Sequence, residues 1–158
     1  MYSVSFKHCY NFACEDELFF RNNITKMDVA VEKPTVLTTT VKVWKRNQII
    51  IDQVLEGANY SCEHNREHQT FIAKSTNKPY MEGHHLIPLK FQEEFSNSID
   101  VYANIVCLCP VCHRLLHHGL ISERTYVAEE LFDSRSSRLI ASGIDLSKKD
   151  FLKMAASL

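Results

Sequence analysis

Seven of the eight histidines in this chain fall between His64 and His118, and cysteines cluster in and just ahead of the same stretch. Imidazoles and thiolates are the side chains that hold borderline metals, and imidazole alone titrates near neutral pH, so this crowding points to metal chemistry. Cys109 and Cys112 sit in LCPVCH, a tight turn that lets two thiolates converge on one ion. Tetrahedral zinc needs two further ligands, and Cys62 is the cysteine at suitable distance upstream. His64 and His68 compete for the fourth place. His68 is preferred, because five intervening residues give the chain more room to turn back on the same ion. Such a knuckle would be structural, contributing on the order of 10 kcal/mol or more to folding.

A second group has different chemistry. His113 and His117 are four residues apart in a short helical segment, so they share a face and can hold one ion between them. His84, at the end of a preceding strand, can complete a three-histidine site with open positions for water and phosphate. His85 is then left unligated, a general base for an attacking water. Neighbours on a regular strand point to opposite faces, so the chain must bend or end at HHLIPL for both histidines to serve one site, and Pro88 suits that. Asn104 is expected off the metal, with its side-chain amide tying the loop to the backbone near the base.

Elements must position these groups. KRNQIIIDQVLEGAN places Ile50, Ile51, Val54 and Leu55 at helical spacing, with Gly57 or Asn59 as the left-handed stop. TFIAKS and PYMEGHHLI read as two strands of a hairpin around STNK. Lys90 to Val101 reads as a loop with at most a helical turn. ANIVCLC leads into PVCHRLLHH, where Pro110 suits a first helical turn and Gly119 a stop. Two helices follow, one from an N-cap at Ser122 to near Gly143, the other opened by Ser147 and Asp150 in a capping-box pattern. The first is expected to pack through Tyr126, Leu131, Leu139 and Ile140, with its Glu and Arg residues solvated. The division is therefore 1–42, an extended or β arm; 43–119, the site-bearing unit with its leading helix; and 120–158, a helical extension.

No apolar run is long enough to span a membrane, and the N-terminus lacks the pattern of a secretion signal, so a reducing cytoplasmic setting is expected. There, cysteines serve metals or plain burial, and Cys9, Cys14 and Cys107 are assigned to the latter. The formal net charge of -1 is low for a protein that grips nucleic acid unaided. From Cys62 to Gly119 the basic residues Arg66, Lys74, Lys78, Lys90 and Arg114 are offset by Glu63, Glu67, Glu82, Glu93, Glu94 and Asp100.

The stretch from Cys62 to Gly119, LCPVCHRLLHHG above all, resembles the HNH endonuclease family in its zinc-braced form. The resemblance implies an α+β fold, a ββα-metal (His-Me finger) core with a structural zinc knuckle, flanked by helices. It implies His85 as base with His84 as its metal-binding neighbour, Asn104 as the N of the motif, His113 as the final H, and His117 as the residue added in H-x-x-x-H members. Members with a zinc brace commonly carry C-x-x-C in the first knuckle. Here that position reads Cys62-Glu63-His64-Asn65, and His68 takes the missing place. The implied activity is hydrolysis of DNA phosphodiesters with one divalent ion, Mg²⁺ or Mn²⁺, with Ni²⁺ and Zn²⁺ also used in the family. The C-terminal helices are similar to tails on bacterial restriction-type members, which implies restriction or antiphage defence. With so little positive charge, DNA affinity is expected from a partner protein such as an ATPase, or from a homodimer pooling Arg124, Arg135, Arg138, Lys148, Lys149 and Lys153. The rival expectation is a non-catalytic zinc module that binds nucleic acid or protein on the same shell.

Overall fold

The computed structural model describes residues 44–157, together with Thr38. The arm expected over residues 1–42 lies, but for Thr38, outside the described residues, as do Cys9 and Cys14. The described residues 44–157 belong to one compact unit.

Asn47 caps the first helix among the described residues, α1 (Gln48–Gly57), by accepting the Ile49 N–H on its side chain. Val54 is fully buried, while Ile50, Ile51 and Leu55 pack beside it against the sheet. The helix stops at Asn59 and Tyr60, whose φ angles are 52° and 51°, so Asn59 rather than Gly57 supplies the left-handed turn.

Among the described residues the sheet has two antiparallel strands, β1 (Glu82–His85) and β2 (Ile105–Leu108), with Glu82 opposite Leu108 and His85 opposite Ile105. Gly83 lets α1 lie close on β1, since a Cβ there would sit 2.8 Å from the Ile51 Cγ2. The expected hairpin shrinks to a turn with one bridge, Ile72 to Pro79, and β1 finds its partner in β2 instead. Pro79 has no N–H to extend that ladder, and Phe71 and Ile72 are exposed, with no core to face. The loop after β1 carries a 3₁₀ helix over Leu89–Glu94, and a second 3₁₀ turn, Tyr102–Asn104, leads into β2.

Helix α2 (Pro110–His118) starts at Cys109, whose sulfur accepts the Cys112 N–H, and ends at Gly119. Pro110 occupies its first turn, where a missing N–H costs nothing. Helix α3 (Ile121–Ala141) begins one residue ahead of the expected Ser122 cap, with Leu120 at the cap position and no side-chain capping bond. It buries Val127, Ala128, Leu131, Phe132, Arg135 and Leu139. Tyr126 and Ile140, expected on this face, are exposed. At about 100° per residue they lie roughly 140° from Leu131 and 100° from Leu139, off the stripe that meets the core. Arg135, expected in solvent, is buried because Glu63 pairs with it. Helix α4 (Lys148–Ala156) opens with the expected pairing, Ser147 Oγ accepting the Asp150 N–H. Its fully buried Phe151 stacks on Phe132 with ring centroids 4.4 Å apart, a burial worth about 2–3 kcal/mol.

The mixed helix and two-stranded antiparallel architecture, β1–β2–α2 with helices around it, is the fold class expected from the sequence.

Candidate metal centres and active-site cleft

Among the described residues two clusters of ligand atoms form, each with its atoms within 4.8 Å of one another. The first joins Cys62, His68, Cys109 and Cys112. The His68 Nδ1 lies 3.4 Å from the Cys109 sulfur and 3.3 Å from that of Cys112. His64 is turned elsewhere, its Nδ1 3.3 Å from a Glu130 carboxylate oxygen. Burial, then the neighbouring sulfurs, push the Cys112 thiol well above its ordinary range. Burial also acts to raise Cys62, but backbone hydrogen bonds from Cys109, Asn65 and His64 outweigh it and lower this thiol. Three buried sulfurs this close can all be thiolates only around a cation, and three cysteines with one imidazole fit a structural zinc. Cys107, on the adjacent strand, stays outside the cluster, and burial ahead of the nearby Glu63 pushes it up to about 12. It is an inert core thiol.

The second cluster joins His84, His113 and His117. The i, i+4 spacing on α2 brings the His113 and His117 Nε2 atoms to 3.2 Å, and the His84 ring lies 5.0 Å from one ring and 5.1 Å from the other. Burial, and after it the charge of the two neighbours, lowers His84 to about 3. Burial followed by His113 lowers His117 as well. Both rings therefore keep free lone pairs, the form a metal requires. The His113 Nδ1 bonds the Glu82 carboxylate, which turns its Nε2 toward the other rings. Burial acts to raise Glu82, but hydrogen bonds from His113 and Tyr80 outweigh it and hold the carboxyl below its usual range.

His85 is the last residue of β1, and a bend follows at once. It and His84 line the same cleft of about 590 Å³, together with His113, His117, Arg46 and Trp44. The His85 Nε2 lies 2.8 Å from the Asp100 Oδ1, while the Asp100 Oδ2 accepts the Asn47 N–H at 2.7 Å. Burial lowers His85 despite this carboxylate. Asn104 is fully buried and touches no ligand cluster. Its Oδ1 accepts the Ile87 N–H at 2.8 Å, and its Nδ2 donates to the Ile87 and Ile99 carbonyls at 3.0 and 2.8 Å. One amide thus clamps both the bend that follows His85 and the segment that delivers Asp100.

Asp100, Glu82, Arg46 and Trp44 escaped the reading of the sequence as site residues. Glu82 carried a usable signal, since it stands two residues before His84 and so shares its strand face. Arg46 and Trp44 reach the cleft, and Asp100 reaches His85, through loops whose course only packing decides.

Residues 68–119 match the family described as HNH endonuclease. The chain is also 35% identical over 87 residues to the type IV methyl-directed restriction enzyme EcoKMcrA of Escherichia coli K12. The match covers 55% of this chain and 29% of that relative's length. Among the described residues no helix is long and apolar enough to cross a membrane.

Proposed function

We propose that this chain hydrolyses DNA phosphodiester bonds as a metal-dependent endonuclease of restriction or antiphage type, a reading supported by the match of residues 68–119 to the HNH endonuclease family. The observation that carries the reading is the cleft where three imidazoles converge beside a fourth that is backed by a carboxylate. His84, His113 and His117 would hold one divalent ion, Mg²⁺ or Mn²⁺, with Ni²⁺ and Zn²⁺ also suited to imidazole donors. When bound, that ion supplies positive charge to the scissile phosphate and the leaving 3′-oxygen.

The remaining steps fall to side chains. His85 Nε2–H donates to Asp100, so the Nδ1 lone pair accepts the proton of the attacking water. The Asp100 carboxylate, itself fixed by the Asn47 N–H, then stabilises the imidazolium. Asn104 holds base and carboxylate in register. Arg46 and Lys90 border the cleft and favour an incoming phosphate. The restriction role draws on the methyl-directed restriction enzyme to which the chain is similar.

Firm DNA binding comes from a partner protein, such as an ATPase, rather than from a pooled basic face of a homodimer. Most cations of that face are engaged within the chain. Arg135 is buried on Glu63, Lys148 pairs with Glu129 and Asp133, Lys153 pairs with Asp150, and Arg124 donates to the Ala155 carbonyl.

Plasmid cleavage tests the reading. Zinc-loaded protein should nick or linearise plasmid DNA when Mg²⁺ or Mn²⁺ is added, and His85→Ala should reduce the rate by at least about 10²-fold while keeping the zinc. Wild-type rates from folded His85→Ala would overturn the assignment of the base.

A further inference from the structure

A second polar pocket, of about 120 Å³, opens at the last turn of α1 and is lined by Ser61, Glu63, Arg66, Tyr102, Arg135 and Arg138. The catalytic cleft borders Trp44 and Arg46, which lead into the other end of that helix. Ten helical residues span about 15 Å, so the two sites are distinct.

Three guanidinium groups meet a single carboxylate in this pocket. That carboxylate is already committed: both Glu63 oxygens accept from the Arg135 Nη2, at 2.7 and 2.6 Å, and one also accepts the Cys107 N–H at 2.8 Å. Arg135 is 4% exposed, and its Nη1 is buried with no hydrogen-bond partner among the described residues. A buried donor left unmade on a charged group is costly, and each is expected to have an acceptor. Arg138 lies over the Tyr102 ring, its guanidinium carbon 4.8 Å from the centroid, which fixes the plane of the fork. Tyr102 in turn rests against Gly57, where a Cβ would fall 2.1 Å from the phenolic oxygen. The pocket wall offers the planar forks of Arg66 and Arg138, the Ser61 and Tyr102 hydroxyls and a surplus of positive charge, which is what a tetrahedral oxyanion takes.

We propose that this pocket binds a phosphate group. Two sources share that chemistry: a backbone phosphate of DNA some distance from the scissile one, and free phosphate. The DNA source rests on the nuclease reading above; the anion site itself does not.

Two binding measurements on the full zinc-loaded chain separate the outcomes, with no added divalent ion and no cleavage required. Arg66 and Arg138 are both exposed, so Arg66→Gln/Arg138→Gln should fold as the parent does. The first probe is inorganic phosphate against chloride at matched ionic strength, read by thermal shift. The parent should be stabilised, and the double variant should need at least roughly tenfold more phosphate for the same shift. The second probe is a labelled DNA duplex titrated over a range of salt in a His85→Ala background. If DNA supplies the phosphate, the double variant should lower the slope of log K against log salt by about 1. A phosphate effect without a slope change assigns the site to the free anion. If neither measurement distinguishes the double variant from the parent, the proposal is wrong. A loss of plasmid cleavage alone bears on the nuclease reading and leaves this site standing.

Discussion

Asn104→Ala would remove a clamp made of three hydrogen bonds in a fully buried position, at 2.8, 3.0 and 2.8 Å. Each bond contributes about 1 kcal/mol net, and the Ile87 N–H, Ile87 carbonyl and Ile99 carbonyl would each lose a partner in a site closed to water. The expected loss is therefore about 3–5 kcal/mol, a large share of the roughly 5–15 kcal/mol by which a domain is stable. With a urea slope of about 1–3 kcal/mol per molar for a small protein, the unfolding midpoint should fall by about 2 M. The assay is urea unfolding with zinc saturating in both proteins, paired with hydrogen exchange at the Ile87 amide, which should lose protection. Asn104→Asp should be at least as harmful despite its near-identical shape. It replaces the Nδ2 donor with an oxygen facing the two carbonyls, and it brings a charge into a dry site. A midpoint shift below about 0.5 M, with the Ile87 amide still protected, would refute the clamp.

Four clustered side chains and one bystander make a sharp contrast at the proposed zinc site: Cys109→Ser and His68→Ala should each lose zinc and the cooperative fold, while His64→Ala, which removes only a partly exposed pair with Glu130, should retain both and change stability by under about 1 kcal/mol. Metal analysis after dialysis, alongside thermal melts, would read this, and zinc loss from His64→Ala would move the fourth ligand. Asp100→Asn should leave a folded protein whose cleavage rate falls about 10–100-fold, because the amide holds the His85 ring less well and cannot stabilise its protonated form. An unchanged rate would mean that His85 needs no carboxylate.

Much of the site could be read from the chain because its geometry is local. Cys109 and Cys112 sit on one tight turn, and His113 and His117 stand one helical turn apart, so backbone periodicity alone brings their ligand atoms together. The stop at Asn59, the start at Ser147 and the placement of Pro110 are likewise decided by the φ preferences and hydrogen-bonding groups of single residues. Asn104 was recognisable as a loop tie, though not the pair of segments that it joins.

Packing decided the rest. His85 meets Asp100 across 15 residues, His113 meets Glu82 across 31, and Arg135 meets Glu63 across 72. No short-range periodicity encodes such pairs, which exist only once β1 chooses β2 and α3 lays its buried stripe on the core. The same choice overrode two local signals. The strand-like TFIAKS had no apolar surface to cover, so its hairpin stayed a single bridge, while β1 gained a buried partner in β2. Arg135, which composition alone assigns to water, entered the interior because a carboxylate waited there. A buried charge is tolerable only when a partner from elsewhere in the chain is already in place, and that is a property of the fold rather than of any stretch of sequence.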